Sequence, residues 1–151
     1  MMLLVPAEQP IATVEIVSEL TGEVAEAVRA LLPQLSSSAA YSRELLEAMV
    51  ASDSAALFIA RVDGTIVGMA SLIHYAIPTG VRAHIDDVVV DSAERGHGVG
   101  RLLLRALLDE ANRLGARTVD LTSRPSREAA IRLYESVGFV RRESLLFRFQ
   151  G

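Results

Sequence analysis

The sequence predicts a single α+β domain spanning residues 1–151, with a mixed, mostly antiparallel sheet of about six to seven strands flanked by about four helices. Three observations lead to this fold class. Two β-rich runs flank Asp63-Gly64, which is a strong hairpin signal. After residue 90 helical and strand-like patterns alternate, as they do where helices cross over between strands. Apolar residues make up 50% of the chain and charged residues 23%, which is ordinary for a globular domain with one core.

The first elements along the chain are a strand and two capped helices. Residues 11–17 predict the strand, and Thr21 can cap a helix that should end near Pro33. Ser42 can cap a second helix. The apolar stripe of that second helix consists of Leu45, Leu46, Met49 and Val50.

The middle of the chain predicts three successive strands. Residues 56–61 and 65–75 form the two arms of the hairpin, and Pro78-Thr79-Gly80 predicts the next turn. The following strand covers residues 82–90. Its last three residues are all valine, so both faces of the strand are apolar, and we expect a central position in the sheet.

The last third of the chain predicts a helix, a strand, a second helix and two final strands. In order, these are residues 101–114, 117–121, 127–136, 139–142 and 145–149. Gly115 and Gly138 follow the two helical patterns as stop signals, and Ser126 is the expected N-cap of the second helix.

Composition and charge exclude several classes of function. The formal net charge of −4 gives no basic face for nucleic acid. The chain has no cysteine, and its three histidines lack a close metal-ligand spacing, so no metal is expected. No apolar run approaches the ~20 residues that a membrane helix needs. The N-terminal apolar run is too short for a signal peptide, so we expect a cytoplasmic protein without a membrane partner.

A glycine-rich hexapeptide, residues 95–100, is the most informative motif. It stands between the strand that ends at Val90 and a helical pattern, where backbone N–H groups and the helix dipole favour an anion. A P-loop would need a lysine, and the chain has none. The dinucleotide fingerprint would need a third glycine at Arg101 or Leu103. The motif therefore predicts a phosphate or pyrophosphate site of another kind.

The pattern Arg-x-x-Gly-x-Gly, formed by Arg95, Gly98 and Gly100, resembles the acetyl-CoA pyrophosphate loop of the GNAT superfamily of N-acetyltransferases. A second segment, residues 129–139, is similar to the family's A-x-x-L-Y-x-x-x-G-F segment beside the cofactor. The predicted order of strands and helices is also that of the GNAT fold. The resemblance thus covers nearly the whole chain, and it implies an acetyl-CoA-dependent enzyme.

The resemblance implies a set of cofactor-binding residues. The strand residues would pair with pantetheine, and the loop amides, with Arg95, would hold the diphosphate; a backbone N–H near Val88 would also bind the thioester carbonyl. Ser126 stands where many members carry an asparagine that contacts the cofactor. The complete set is Val88, Val89, Val90, Arg95, Gly96, His97, Gly98, Val99, Gly100, Arg101 and Ser126. His97 is interpreted as a solvated side chain of the loop.

Three side chains are the candidates for catalysis. The resemblance gives Tyr134 the role of general acid toward the departing CoA thiolate, while its place on an apolar helical stripe also suits a core residue. Asp86 and Asp87 are the candidate bases. Adjacent strand residues point to opposite faces, so only one can face the substrate unless a bulge intervenes. Either carboxylate could instead bind a substrate ammonium or form a salt bridge.

The predicted reaction is direct transfer of an acetyl group to a primary amine of a small molecule, a protein N-terminus or a lysine. The alternative is a CoA-binding module that regulates or interacts without catalysis. The presence of Tyr134 and both aspartates favours the enzyme. Family analogy also makes residues 145–149 a candidate surface for a homodimer.

Overall fold

The computed structural model describes residue 3 and residues 11–151. In that part of the chain, five strands and four α-helices follow one another in the order β1, α1, α2, β2, β3, β4, α3, β5, α4. Their bounds are β1 Ala12–Ile16, α1 Gly22–Leu35, α2 Arg43–Ala51, β2 Ala55–Val62, β3 Thr65–Ile77, β4 Gly80–Val90, α3 Val99–Arg113, β5 Thr118–Asp120 and α4 Glu128–Val137. A short 3₁₀ turn, Ser92–Glu94, precedes α3. None of the helices within the described residues is long and apolar enough to cross a bilayer.

The strands form one sheet in the order β1-β2-β3-β4-β5. The first four strands are antiparallel neighbours, whereas β5 runs parallel to β4 because α3 crosses over between them. The β4–β5 ladder is short and covers only the pairs from Arg82–Thr118 to His84–Asp120. The α+β class and the mixed, mostly antiparallel sheet are therefore confirmed.

The caps of the first two helices form as the sequence predicts. The Val24 amide donates to the Thr21 hydroxyl at 3.2 Å, and the Leu45 amide donates to the Ser42 hydroxyl at 3.2 Å. The predicted end of α1 near Pro33 is two residues early. A proline removes only its own N–H, and the Ser36 amide still donates to the Leu32 carbonyl at 3.1 Å, so the last turn closes around it.

Two apolar cores cover the two faces of the sheet. On one face, α3 buries Leu103, Leu104 and Leu107 against the strands, with Tyr134 of α4 beside them. On the other face, the α1 residues Val24, Ala25, Val28 and Leu31 pack on β2 to β4, together with Leu46 of α2. The sheet is thus the middle layer of three, and the helices on both sides fix the position of β4.

The two final strands that the sequence predicts are not formed. Residues 139–142 and 145–149 have no ladder partner in the described chain, and the described sheet has five strands, fewer than the predicted six to seven. The reason is that a strand needs a neighbouring backbone, and β5 is only three residues long. Apolar side chains of this segment remain exposed instead: Leu145 81%, Leu146 75%, Phe147 85% and Phe149 93%.

Candidate active site

A gap opens in the sheet where β5 ends and β4 continues. The last pair of the ladder joins His84 to Asp120. β4 then runs on for six residues to Val90, and on that side it has no partner among residues 11–151. The carboxyl-terminal half of β4, which contains the three valines predicted to bind the cofactor, therefore borders an open slot. A slot at the carboxyl end of a parallel pair is a usual place for a ligand.

A small cavity of about 80 Å³ lies at the mouth of this slot. It brings together four of the predicted residues from two elements: Asp86, Asp87 and Val88 of β4, and Tyr134 of α4. The remaining residues around it are Leu35, Ile85, Leu121, Thr122 and Arg127. Leu121 and Thr122 were missed by the sequence reasoning, although their place just after a parallel strand is a signal that could have found them.

A bulge in β4 decides which way the two aspartates face. Asp86 pairs with Ser71 of β3, and Val89 pairs with Met69, so β4 carries one residue more than β3 across this stretch. The side-chain alternation shifts at this point: Ile85 belongs to the core under α3, and Val89 to the core under α1. The intervening bulge lets Asp86 and Asp87 both line the cavity.

Asp87 lies in a special backbone conformation within the bulge. Its φ is +52°, in the left-handed region, and its amide donates to the Asp86 Oδ1 at 3.1 Å. Partial burial raises the pKa of the Asp87 carboxyl above its ordinary value, and the neighbouring Asp86 carboxylate adds to the rise. A carboxylate with a raised pKa is a better proton acceptor than an ordinary one.

Tyr134 is the buried aromatic residue at the floor of the site. Its ring is 7% exposed and contacts the Phe139 ring edge-on, with the centroids 6.2 Å apart. Burial raises the pKa of its phenol, against a smaller opposite effect of the Arg127 charge. Tyr134 is therefore protonated at neutral pH and can act as a hydrogen-bond donor.

The glycine-rich loop leads directly into α3. Gly96 and Gly98 have φ values of +83° and +81°, and a Cβ at either would meet nothing within 4 Å. Gly98 is the N-cap of α3, so no side chain caps the first amides, and the first turn carries no acidic residue. The helix N-terminus, now seen to begin at Val99 rather than Arg101, has the properties of an anion site.

The other predicted residues of the loop differ in their surroundings. The Arg95 side chain donates to the Val90 carbonyl at 3.3 Å, bracing the loop on β4. The His97 side chain is 68% exposed, as expected for a solvated residue. Arg101 donates to the Ser136 hydroxyl of α4 at 3.0 Å. Gly100 packs so close to α4 that a Cβ there would lie 2.9 Å from Leu133 Cδ2.

Ser126 is not the N-cap of α4, so that expectation is wrong. The cap residue is Arg127, which makes no side-chain capping bond, and the Arg127 amide closes a tight turn to the Arg124 carbonyl at 3.0 Å. This turn delays the start of the helix by one residue. It also places Arg127, rather than Ser126, at the cavity.

Comparison with known proteins agrees with this arrangement. The sequence profile of the Acetyltransferase (GNAT) family matches residues 23–139, which include both helices of the first half, the loop and Tyr134. The chain belongs to the GNAT family. The matched range contains β2 to β5, the glycine-rich loop and α4, and so includes the point where β4 and β5 part.

Several proteins with similar sequences are named as acetyltransferases. The N-alpha-acetyltransferase RimI of Mycobacterium tuberculosis is 39% identical over 103 residues, which are 68% of this chain and 60% of the relative. An uncharacterised protein of Mycobacterium leprae is 42% identical over 82 residues, 54% of this chain. The chain spans only 22% of the length of that second relative.

The same fold occurs in solved structures. The structure of the aminoglycoside N-acetyltransferase AAC(6')-Iy in complex with CoA superposes on this chain with a TM-score of 0.81. The aligned region covers 97% of this chain and 99% of the aminoglycoside acetyltransferase. The two sequences are 21% identical, so this GNAT neighbour shows the fold alone.

Proposed function

We propose that this GNAT protein transfers an acetyl group from acetyl-CoA directly to a primary amine. The observation that carries the proposal is the open slot between β4 and β5, which has an uncapped helix N-terminus beyond one end and Asp87 with Tyr134 at the other. A long ligand with an anionic middle and a reactive end suits such a slot. The RimI relative is named an N-alpha-acetyltransferase, which supports the same chemistry.

The loop and β4 fit acetyl-CoA by their backbone. Glycines at positive φ with open space above them let N–H groups approach a diphosphate, and Arg95 adds positive charge. The edge of residues 88–90 is left without a partner by β5, so pantetheine amides can pair with it as an added strand. Acetyl-CoA supplies the activated acetyl group when it is bound.

Two side chains and one amide perform the proposed transfer. Asp87 accepts the proton that the amine must lose, directly or through a water molecule, and the raised pKa of its carboxyl suits that role. The Val88 N–H stabilises the negative charge that develops on the carbonyl oxygen. The Tyr134 hydroxyl donates its proton toward the departing sulfur, and burial keeps it protonated until then.

The acceptor is an amine of a small molecule or of a protein. RimI is named an N-alpha-acetyltransferase, and AAC(6')-Iy an aminoglycoside N-acetyltransferase. An amine that carries positive charge is favoured at the entrance, because Asp86 and Asp87 together place negative charge there.

We also propose that the chain forms a homodimer through residues 145–149. Leu145, Phe147 and Phe149 are each more than 80% exposed, and a cluster of exposed large apolar side chains marks an interaction surface. The outer edge of β5 has no partner strand in the described chain, so it can pair with such a segment.

The test is a thermal shift measured in parallel with acetyl-CoA, CoA, NAD and ATP. A ligand at 100 times its dissociation constant adds about 2.7 kcal/mol, or about 5 to 10 °C for a chain of this size. A shift with acetyl-CoA and CoA alone, followed by amine-dependent release of free thiol, supports the enzyme. A shift without thiol release across an amine panel supports the non-catalytic CoA-binding module, and a shift with NAD alone contradicts the proposed cofactor.

A further inference from the structure

The left-handed backbone of Asp87 needs something to hold it. A φ of +52° is uncommon for a residue with a side chain, although aspartate tolerates it better than most. Such a conformation costs free energy and persists where the surroundings enforce it. Because Asp87 belongs to the bulge, it also lacks an opposite residue on β3.

The Asp86 side chain bonds the Asp87 backbone, which has no partner residue in the β3–β4 ladder. One oxygen of its carboxylate, Oδ1, accepts the Asp87 amide at 3.1 Å. The other oxygen, Oδ2, lies 3.9 Å from the His84 Nε2, on the same strand two residues earlier. Both oxygens of the Asp86 carboxylate therefore face groups of β4 itself: one bonds the Asp87 amide, and the other lies near the His84 ring.

We propose that Asp86 is a positioning residue, whose carboxylate holds the bulge that presents the Asp87 side chain to the acceptor amine. The His84 ring lies on the other side of that carboxylate. The inference rests on the proposed acetyl transfer and divides the two aspartates by role: Asp87 exchanges the proton, and Asp86 fixes where Asp87 stands. Both side chains are exposed, so the division follows from their contacts: Asp86 accepts the Asp87 amide, and Asp87 lies in the bulge at positive φ.

Two substitutions separate a positioning role from a catalytic one. Asp86→Asn keeps an oxygen that accepts the Asp87 amide but removes the charge, whereas Asp86→Ala removes both. We expect kcat/KM for the amine to fall about 10- to 100-fold in the alanine variant, as misplacement of a reacting group does. The asparagine variant should lose less activity than the alanine variant, because it keeps the oxygen that accepts the Asp87 amide. Asp53→Ala, an exposed aspartate between α2 and β2, is the matched control.

The pH profile gives a readout that a purely structural role would not move. The groups that face Asp87 around the cavity are Asp86 on its own strand, Tyr134 of α4 and Arg127 at the N-cap of α4; Leu35 of α1 is apolar. Since the Asp86 charge contributes to the raised pKa of Asp87, Asp86→Asn should shift the acidic limb of kcat/KM to lower pH. An unchanged limb would contradict the assignment of the proton to Asp87.

Crystal structures of the two variants test the geometry without any activity. Residue 87 should keep its positive φ in the asparagine variant and leave the left-handed region in the alanine variant. Equal loss of activity in both variants would make the Asp86 carboxylate itself the catalytic group and overturn the inference, as would full activity in both. If the wild type releases no thiol with any amine, the proposed function fails, while the φ values still decide the positioning role.

Discussion

Replacing Tyr134 with phenylalanine separates its two roles, core residue and proton donor. The ring is 7% exposed and packs edge-on against Phe139, and both features survive in Tyr134→Phe. A swap that conserves volume costs less than about 1.5 kcal/mol of unfolding free energy. Tyr134→Ala removes the ring itself, and we expect a loss of about 3 to 5 kcal/mol, as for other buried aromatic residues.

The effect of Tyr134→Phe on catalysis should be larger than its effect on stability. A general acid contributes a factor of about 10² to 10⁴, and we expect a fall in kcat of about 100-fold, because a thiolate is a comparatively good leaving group. The dissociation constant of acetyl-CoA should change little, since the proposed binding depends mainly on backbone groups of the glycine-rich loop and of residues 88–90, which the substitution leaves in place.

The assay follows free thiol released from acetyl-CoA at saturating amine, with calorimetric titration of CoA and denaturant unfolding of the same samples. A Tyr134→Phe variant whose turnover stays within about threefold of the wild type would refute the general-acid role. A threefold change is a difference of about 0.65 kcal/mol in activation free energy. The side chain would then be a core residue only. If CoA affinity fell as much as turnover, the general-acid role would also be contradicted, because the substitution would then have disturbed the cofactor site as a whole.

Further predictions concern the loop, the base, the core and the dimer. Gly98→Ala places a side chain in the left-handed region at φ +81°, where no atom is close enough to clash. Backbone strain alone should therefore lower the unfolding free energy by about 1 to 2 kcal/mol, and CoA binding should weaken in a titration. Asp87→Asn should abolish most turnover yet raise the unfolding free energy at pH 7. The folded state raises the pKa of Asp87, so its ionisation opposes folding, and the gain should fade in denaturant titrations as the pH falls through the folded pKa. Leu103→Ala, at a side chain that is 0% exposed, should cost about 2 to 5 kcal/mol by calorimetry. Phe147→Ser together with Phe149→Ser should convert the proposed dimer to a monomer in light scattering without lowering the melting temperature of the domain by more than about 2 °C.

Much of the fold could be predicted because local patterns and tertiary packing agree. The turn at Asp63-Gly64 lies between β2 and β3 as expected, with Asp63 and Gly64 both at positive φ. Thr21 and Ser42 cap their helices because a hydroxyl one residue before a helix needs no distant partner. Predictions failed where a local signal had a competitor, as at Ser126, where the preceding turn displaced the helix start.

The sequence by itself determined the features that depend on neighbours along the chain: the glycine-rich loop before α3, the apolar stripe of that helix and the presence of two adjacent carboxylates before three valines. Only the tertiary structure decided what depends on neighbours across the sheet. The length of β5 set where the slot opens and left residues 145–149 without a partner strand. The bulge between the pairs Ser71–Asp86 and Met69–Val89 set the direction of Asp87, because one extra residue in one strand changes the face to which its side chains point. No pattern within β4 records where its partner strand is shorter.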